Sequence, residues 1–146
     1  LHLSLRRQRQ MCIRDSLLIL VPDTNGREAN YVKQALVLIE KSLGVSHIDY
    51  VNERYRRCIA PSTSIRFVTF HSSRGLDAAY VICFGLSQIK DLSRQLNVSA
   101  ENLGYIVLSR AIFELTIVQR LSTRNEVTDF VESALQFLDS SNPILQ

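Results

Sequence analysis

Two groups of residues in this 146-residue chain have types and spacing suited to chemistry. The first is the polar stretch His71, Ser72, Ser73, Arg74, Gly75, Leu76 and Asp77, set between two apolar runs. It supplies hydroxyls, backbone N–H groups around a glycine, a guanidinium and a carboxylate. Such a set can hold phosphate, ribose hydroxyls or a nucleic-acid backbone. In an open parallel sheet, ligands bind beyond the carboxyl ends of strands, and this stretch directly follows a strand-like run. The second is Arg110, beside the apolar Ile106, Val107 and Ala111. An arginine fork is the usual means of stabilising a transferring phosphoryl group. Each feature also has a plainer reading, the stretch as a capped loop and Arg110 as an ion-pair partner beside a buried helix stripe.

The elements that must position these residues alternate between short apolar runs and helical patterns, which predicts an α/β fold with a mainly parallel sheet flanked by helices. Leu17 to Val21 reads as a strand ended by Pro22. Asn25 with Glu28 three residues on reads as a helix cap and its capping-box partner. Val32, Leu36, Ile39 and Leu43 then recur at helical spacing until Gly44. Val45 to Val51 reads as the next strand and Asn52 to Ser64 as a loop. Ile65 to Phe70 and Ala79 to Phe84, rich in β-branched and aromatic residues, are the strongest strands. Asp91 to Leu96 reads as a short helix, Glu101 to Ile112 as a longer one, Leu115 to Val118 as a last strand and Val127 to Leu138 as a closing helix.

Composition bounds the possibilities. The chain is 46% hydrophobic and 21% charged, which suits one packed domain and excludes a disordered or low-complexity chain. No apolar run approaches the roughly 18 residues of a membrane span, so a soluble protein without membrane partners is expected. The net charge of +3 carries no information about partners. It lies entirely in residues 1–16, where Arg6, Arg7, Arg9 and Arg14 face Asp15, and the other 130 residues balance 13 basic against 13 acidic. That leader, LHLSLRRQRQMCIRDS, lacks the apolar core of a signal peptide and the pattern of a transit peptide. It resembles the translation of sequencing-adapter read-through, so residues 1–16 are read as non-native and 17–146 as the domain, entered part-way at its amino end. Cys12, Cys58 and Cys83 form no C-x-x-C pair, and His2, His47 and His71 have no partner at ligand spacing. A reducing, cytoplasmic setting and no metal site are expected, with Cys83 a small buried hydrophobe.

The two candidate groups carry a resemblance. IRFVTFHSSRGLDAAYVICFGL is similar to motif V of superfamily 1 helicases of the UvrD and Rep type, whose core is T-x-H-x-x-K-G-L-E before a strand. ENLGYIVLSRAIFELTIV resembles their motif VI, Y-V-A-L-T-R-A before a strand. Both occur in the family's order, and LLILVPDTNGREANYVKQAL is similar to the opening of the family's second RecA-like domain, so the resemblance spans about Leu17 to Val118. It implies a three-layer RecA-like domain in which Arg110 is the arginine finger reaching the γ-phosphate of ATP. It further implies that Asp77 meets the nucleotide ribose, with Gly75 and Arg74 before it, and that Thr69, His71 and Ser72 lie on the face that holds single-stranded DNA or RNA. Arg74 stands where the family has Lys, Asp77 where it has Glu and Ser109 where it has Thr; charge and hydroxyl are kept, while Asp77 reaches one methylene less far.

Two departures limit the resemblance. No G-x-x-x-x-G-K-[ST] loop and no acidic pair after a strand is present, so ATP with Mg²⁺ would be bound only together with a missing amino-terminal RecA-like domain. The interval from Gly44 to Ile65 is too short for the large inserted subdomain of UvrD and Rep, which implies a compact relative. The parent is therefore expected to be an ATP-dependent helicase or translocase, and the isolated chain inactive. The alternative is a non-enzymatic α/β nucleotide- or partner-binding module, flavodoxin-like or receiver-like, or one that keeps relic motifs for binding alone. Asp23 lacks the acidic companions of a receiver, and PDTNGRE is a poor flavin phosphate loop.

Overall fold

The computed structural model describes residues 16–50 and 64–118 together with residues 129, 132, 133 and 136. Five parallel strands form one sheet in the order β2-β3-β1-β4-β5, with β1 at Leu17–Val21, β2 at His47–Asp49, β3 at Ile65–Thr69, β4 at Ala78–Phe84 and β5 at Ala111–Val118. Helices α1 (Arg27–Leu43), α2 (Ile89–Leu96) and α3 (Ala100–Leu108) complete the described elements. The α/β architecture anticipated from the alternating pattern is therefore present.

β1 is central, and Leu18, Leu20 and Val21 are wholly buried, with Ile19 nearly so. A strand covered on both faces reads as a continuous apolar run, which is why LLILV shows no alternation. Its side chains divide between two cores. Leu18 and Leu20 join Val68, Phe70, Val81, Cys83, Ile89, Leu103 and Val107 beneath α2 and α3. Ile19 and Val21 join Ile65, Phe67, Ala29, Val32 and Leu36 beneath α1. The domain thus has three layers, helix on sheet on helix.

Local boundaries differ in several places from the sequence expectation. The amino-terminal cap of α1 is Gly26 rather than Asn25, and no side chain caps that end. Its carboxyl end is as expected: Gly44 adopts φ +68° and donates its N–H to the Glu40 carbonyl at 3.0 Å. α3 begins where the Ser99 hydroxyl accepts from the Asn102 N–H at 3.1 Å, and it stops at Leu108 rather than Ile112. Ala111 is already opposite Ala78 in the sheet, so pairing with β4 extends the last strand back from Leu115 to Ala111. The β-branched and aromatic content of AIFELTIV suits that outcome. Of the predicted second strand, His47–Asp49 forms among the described residues; Val51 and the predicted loop from Asn52 up to Ser64 lie outside them. Asp129, Glu132, Ser133 and Gln136, within the predicted closing helix, are helical.

Gly85, just after β4, occupies φ +68°, and a Cβ there would meet Pro22 Cγ at 3.0 Å. Left-handed backbone and contact with a buried ring act together, so Gly85→Ala should destabilise the fold by about 1–3 kcal/mol in chemical denaturation. Burial pushes the Cys83 thiol up to about 12, favouring the neutral form in the folded state. Stability held by that thiol is complete below the ordinary thiol range near about 8.5 and is lost as pH rises toward the folded value. Cys83→Ala should accordingly flatten the alkaline fall in stability by about one proton, near 1.4 kcal/mol per pH unit, when stability is measured against pH.

Candidate functional site

The connection after β3 determines where the candidate residues lie. β3 and β4 are both parallel to β1 and flank it, Thr69 standing opposite Val21 and Tyr80 opposite Leu17. Residues 70–77 must therefore travel from the carboxyl end of β3 to the amino end of β4, a distance of roughly 13 Å at about 3.3 Å per residue over β1. The HSSRGLD stretch is thus not gathered beyond the carboxyl ends, which corrects the sequence expectation. Its two ends lie at opposite edges of the sheet.

At the carboxyl edge, His71–Ser73 forms a single 3-10 turn. The Thr69 hydroxyl, buried, accepts the Ser72 N–H at 3.4 Å, and the Ser73 hydroxyl donates to the Phe70 carbonyl at 2.7 Å. Those contacts hold the turn against Phe70 and leave His71, Ser72 and Arg74 exposed. Together with Tyr50 and Leu76 these three side chains line a pocket of about 600 Å³. Gly75 takes φ +76°, the left-handed conformation that redirects the chain toward β4.

At the amino edge, Asp77 and Arg110 meet. Their separation is 3.1 Å between Arg110 Nη1 and Asp77 Oδ1, and the Ala78 N–H donates to the Arg110 carbonyl at 3.0 Å. Arg110 lies in the two-residue junction between α3 and β5, not on the helix, and its side chain folds back on α3. Nε donates to the Ile106 carbonyl at 2.8 Å and Nη2 to the Ser109 hydroxyl at 2.9 Å. The guanidinium is thus oriented by three contacts while its side chain stays 16% exposed. A fork carries five N–H groups, so two remain to donate elsewhere. The Asp77 side chain is half exposed and retains acceptor capacity.

Sequence reasoning misses a third member of this cluster, Arg66. It sits on β3 within an otherwise apolar run, and its Nη2 donates to the Asp77 carbonyl at 2.8 Å and to the Ser16 hydroxyl at 3.1 Å. Its buried Nε has no partner among the described residues. Burial pulls the guanidinium below its ordinary value, and Tyr50 and Asp77 oppose that pull. The signal that could have found it is a lone charge at an inward position of a strand buried on both faces. Ser16, assigned by sequence to the leader, is buried and accepts the Tyr80 N–H through its carbonyl at 3.2 Å.

The six other candidate positions therefore separate around Arg110. Asp77 is brought to it; Thr69, His71, Ser72 and the Arg74 side chain stand at the opposite edge, and Gly75 lies on the path between. Among the described residues no group of three or more metal-ligating side chains stands together, and no described helix is long and apolar enough to cross a membrane.

No family model matches the chain, and no curated protein matches it. Among solved structures it is similar to the C-terminal domain of a possible DNA helicase from Lactobacillus plantarum WCFS1, with 21% identity, a TM-score of 0.42, and coverage of 86% of this chain and 70% of that one.

Arg66 and the exposed ion pair Arg94–Asp91, 3.3 Å apart with both side chains about three-quarters exposed, differ in what their loss should do. Arg66→Ala strands the Asp77 carbonyl and Ser16 hydroxyl and should destabilise by about 1–3 kcal/mol. Arg94→Ala removes a solvated pair and should cost under about 0.5 kcal/mol. Urea titration of both variants checks the contrast.

Proposed function

We propose that this chain is the second motor domain of a UvrD- or Rep-like superfamily 1 helicase or translocase, acting with an amino-terminal RecA-like domain that supplies the phosphate loop and the Mg²⁺ site. The observation that supports this reading most strongly is the junction of Asp77 and Arg110, which come from two separate motif-like segments and lie 3.1 Å apart. In this reading Arg110 is the arginine finger and Asp77 accepts ribose hydroxyls, Gly75 turns the chain toward them, and Arg74, which the resemblance assigns to the nucleotide, lines the pocket at the other edge with His71 and Ser72. His71 and Ser72, on the pocket at the other edge, contact single-stranded DNA or RNA. Thr69 sets the turn that presents them, since its hydroxyl is occupied by the Ser72 N–H.

The residues present fit a nucleotide at the amino edge in two respects. Arg110 keeps N–H groups available at a site already oriented, and preorganised donors aimed at developing charge require no reorganisation during the reaction. Asp77 is exposed enough to accept hydrogen bonds from hydroxyls. ATP bound between the domains would supply the transferable phosphoryl group. Arg110 would hold charge developing on it, and Asp77 would orient both the sugar and the guanidinium. Closure of the two domains around nucleotide would then alter the hold of the His71 edge on the strand, because residues 70–77 join the two edges directly.

A second reading draws on the same contacts. Arg110 caps the carboxyl end of α3 through the Ile106 carbonyl, which would suffice for a non-enzymatic α/β module. The two readings separate in the protein with its amino-terminal motor domain restored. Arg110→Ala should leave ATP affinity within about twofold and lower nucleic-acid-stimulated ATP turnover by about 10²-fold or more, because a finger acts on transition-state charge. Turnover unchanged in a folded variant would leave Arg110 a helix cap only.

A further inference from the structure

The helices are shared unequally between the two faces of the sheet. α2 and α3 lie together on one face, while among the described residues α1 is the helix that covers the other, above β1 and β3. Strands are spaced about 4.8 Å apart and a helix with its side chains is about 10 Å wide, so one helix covers about two strands. Phe84 at the carboxyl end of β4 still packs against the α1 core, but the amino-terminal part of β4 and β5 lie beyond it. Neighbours in parallel register point to the same face, and Leu17 and Ile19 belong to the α1 core. Their partners Tyr80 and Ile82 therefore face the α1 side, and so do Glu114 and Thr116 opposite these on β5. The consequence is an apolar patch that no described helix covers: Tyr80 is 45% exposed, Val118 40% and Phe113 61%, and the Tyr80 and Phe113 rings stand 6.5 Å apart.

The chain itself contains the matching piece. Beyond Val118 it continues to Gln146. Asp129, Glu132, Ser133 and Gln136 are helical, and the Ser133 hydroxyl donates to the Asp129 carbonyl at 2.8 Å. Their positions three, one and three residues apart make one polar stripe. Read from the sequence at 100° per residue, a helix through those four positions would carry Val127, Val131, Ala134, Leu135 and Leu138 away from that stripe, with Phe130 on its flank. The other face of the sheet is already occupied by α2 and α3. Residues 119–126 reach about 26 Å when extended, enough to turn back along β5.

We propose that the segment 127–138 docks as a helix beside α1, across β4 and β5, with its Val131 and Leu135 side on Tyr80, Ile82 and Phe113. This gives each face two helices and closes the apolar patch intramolecularly. It is independent of any role for Arg110.

The chain has no tryptophan, so Phe113→Trp in the full chain introduces a single reporter. The expected result is blue-shifted emission with weak acrylamide quenching, unchanged over a hundredfold range of protein concentration. Adding Leu135→Asp should shift that emission to the red and raise quenching several-fold, while Gln136→Asp, on the polar stripe, should change neither. A photo-crosslinking benzoylphenylalanine at position 113 supplies a readout that needs no destabilising change: the expected product is monomeric, with the crosslink mapped by mass spectrometry within 127–138. Solvent-exposed emission in the folded full chain, burial that appears only with rising concentration, or crosslinks to a second copy or outside 127–138 would each overturn the proposal.

Discussion

The parallel run of β3 and β4 on either side of β1 is the constraint from which the rest of the site derives. A chain leaving the carboxyl end of one parallel strand must return to the amino end of the next, and here only residues 70–77 make that journey. With so few residues there is no room for a crossover helix. The segment is held instead by Phe70 and Leu76 in the core, by the buried Ser73 hydroxyl and by the left-handed turn at Gly75. Both edges of the sheet are thereby linked by one short, anchored connector.

Asp77 ends that connector at the entrance to β4, where the junction before β5 arrives beside it. The ion pair with Arg110 is set by backbone pairing as much as by charge, because Ala78 and Ala111 are direct partners. Arg66 then approaches Asp77 from β3 and fixes the Asp77 backbone rather than its carboxylate. Two guanidinium groups, one on the Asp77 carboxylate and one on its backbone carbonyl, leave the cluster cationic, a suitable local charge for an anion of the phosphate type. The same contacts cap α3 and tie β3 to the start of β4, so a functional and a structural role are compatible in the same residues.

How far the site is legible in the sequence depends on the residue. Arg110 and Asp77 both stand out as chemistry, yet their contact does not, since nothing in linear spacing says that a polar turn crosses the sheet. The expected placement of HSSRGLD beyond the carboxyl ends therefore holds for His71, Ser72 and Arg74 and fails for Asp77. Arg66 is masked by the apolar strand around it, although a charge in a doubly buried strand requires a partner. Asn25 is a sound cap by type, but the chain enters α1 one residue later, at Gly26.

The sequence by itself determined the elements and the layer architecture. Uninterrupted apolar strands such as LLILV and the three-four spacing of Ala29, Val32 and Leu36 are local consequences of burial on two faces or on one. Gly44 likewise ends its helix through a backbone conformation that is its own property. Only the tertiary structure decided strand order, the early end of α3, the opposition of the two site edges and the meeting of Asp77, Arg110 and Arg66. Those features depend on which strands become neighbours, and hydrogen bonding between strands distant in sequence is a property of the assembled sheet that no local pattern encodes.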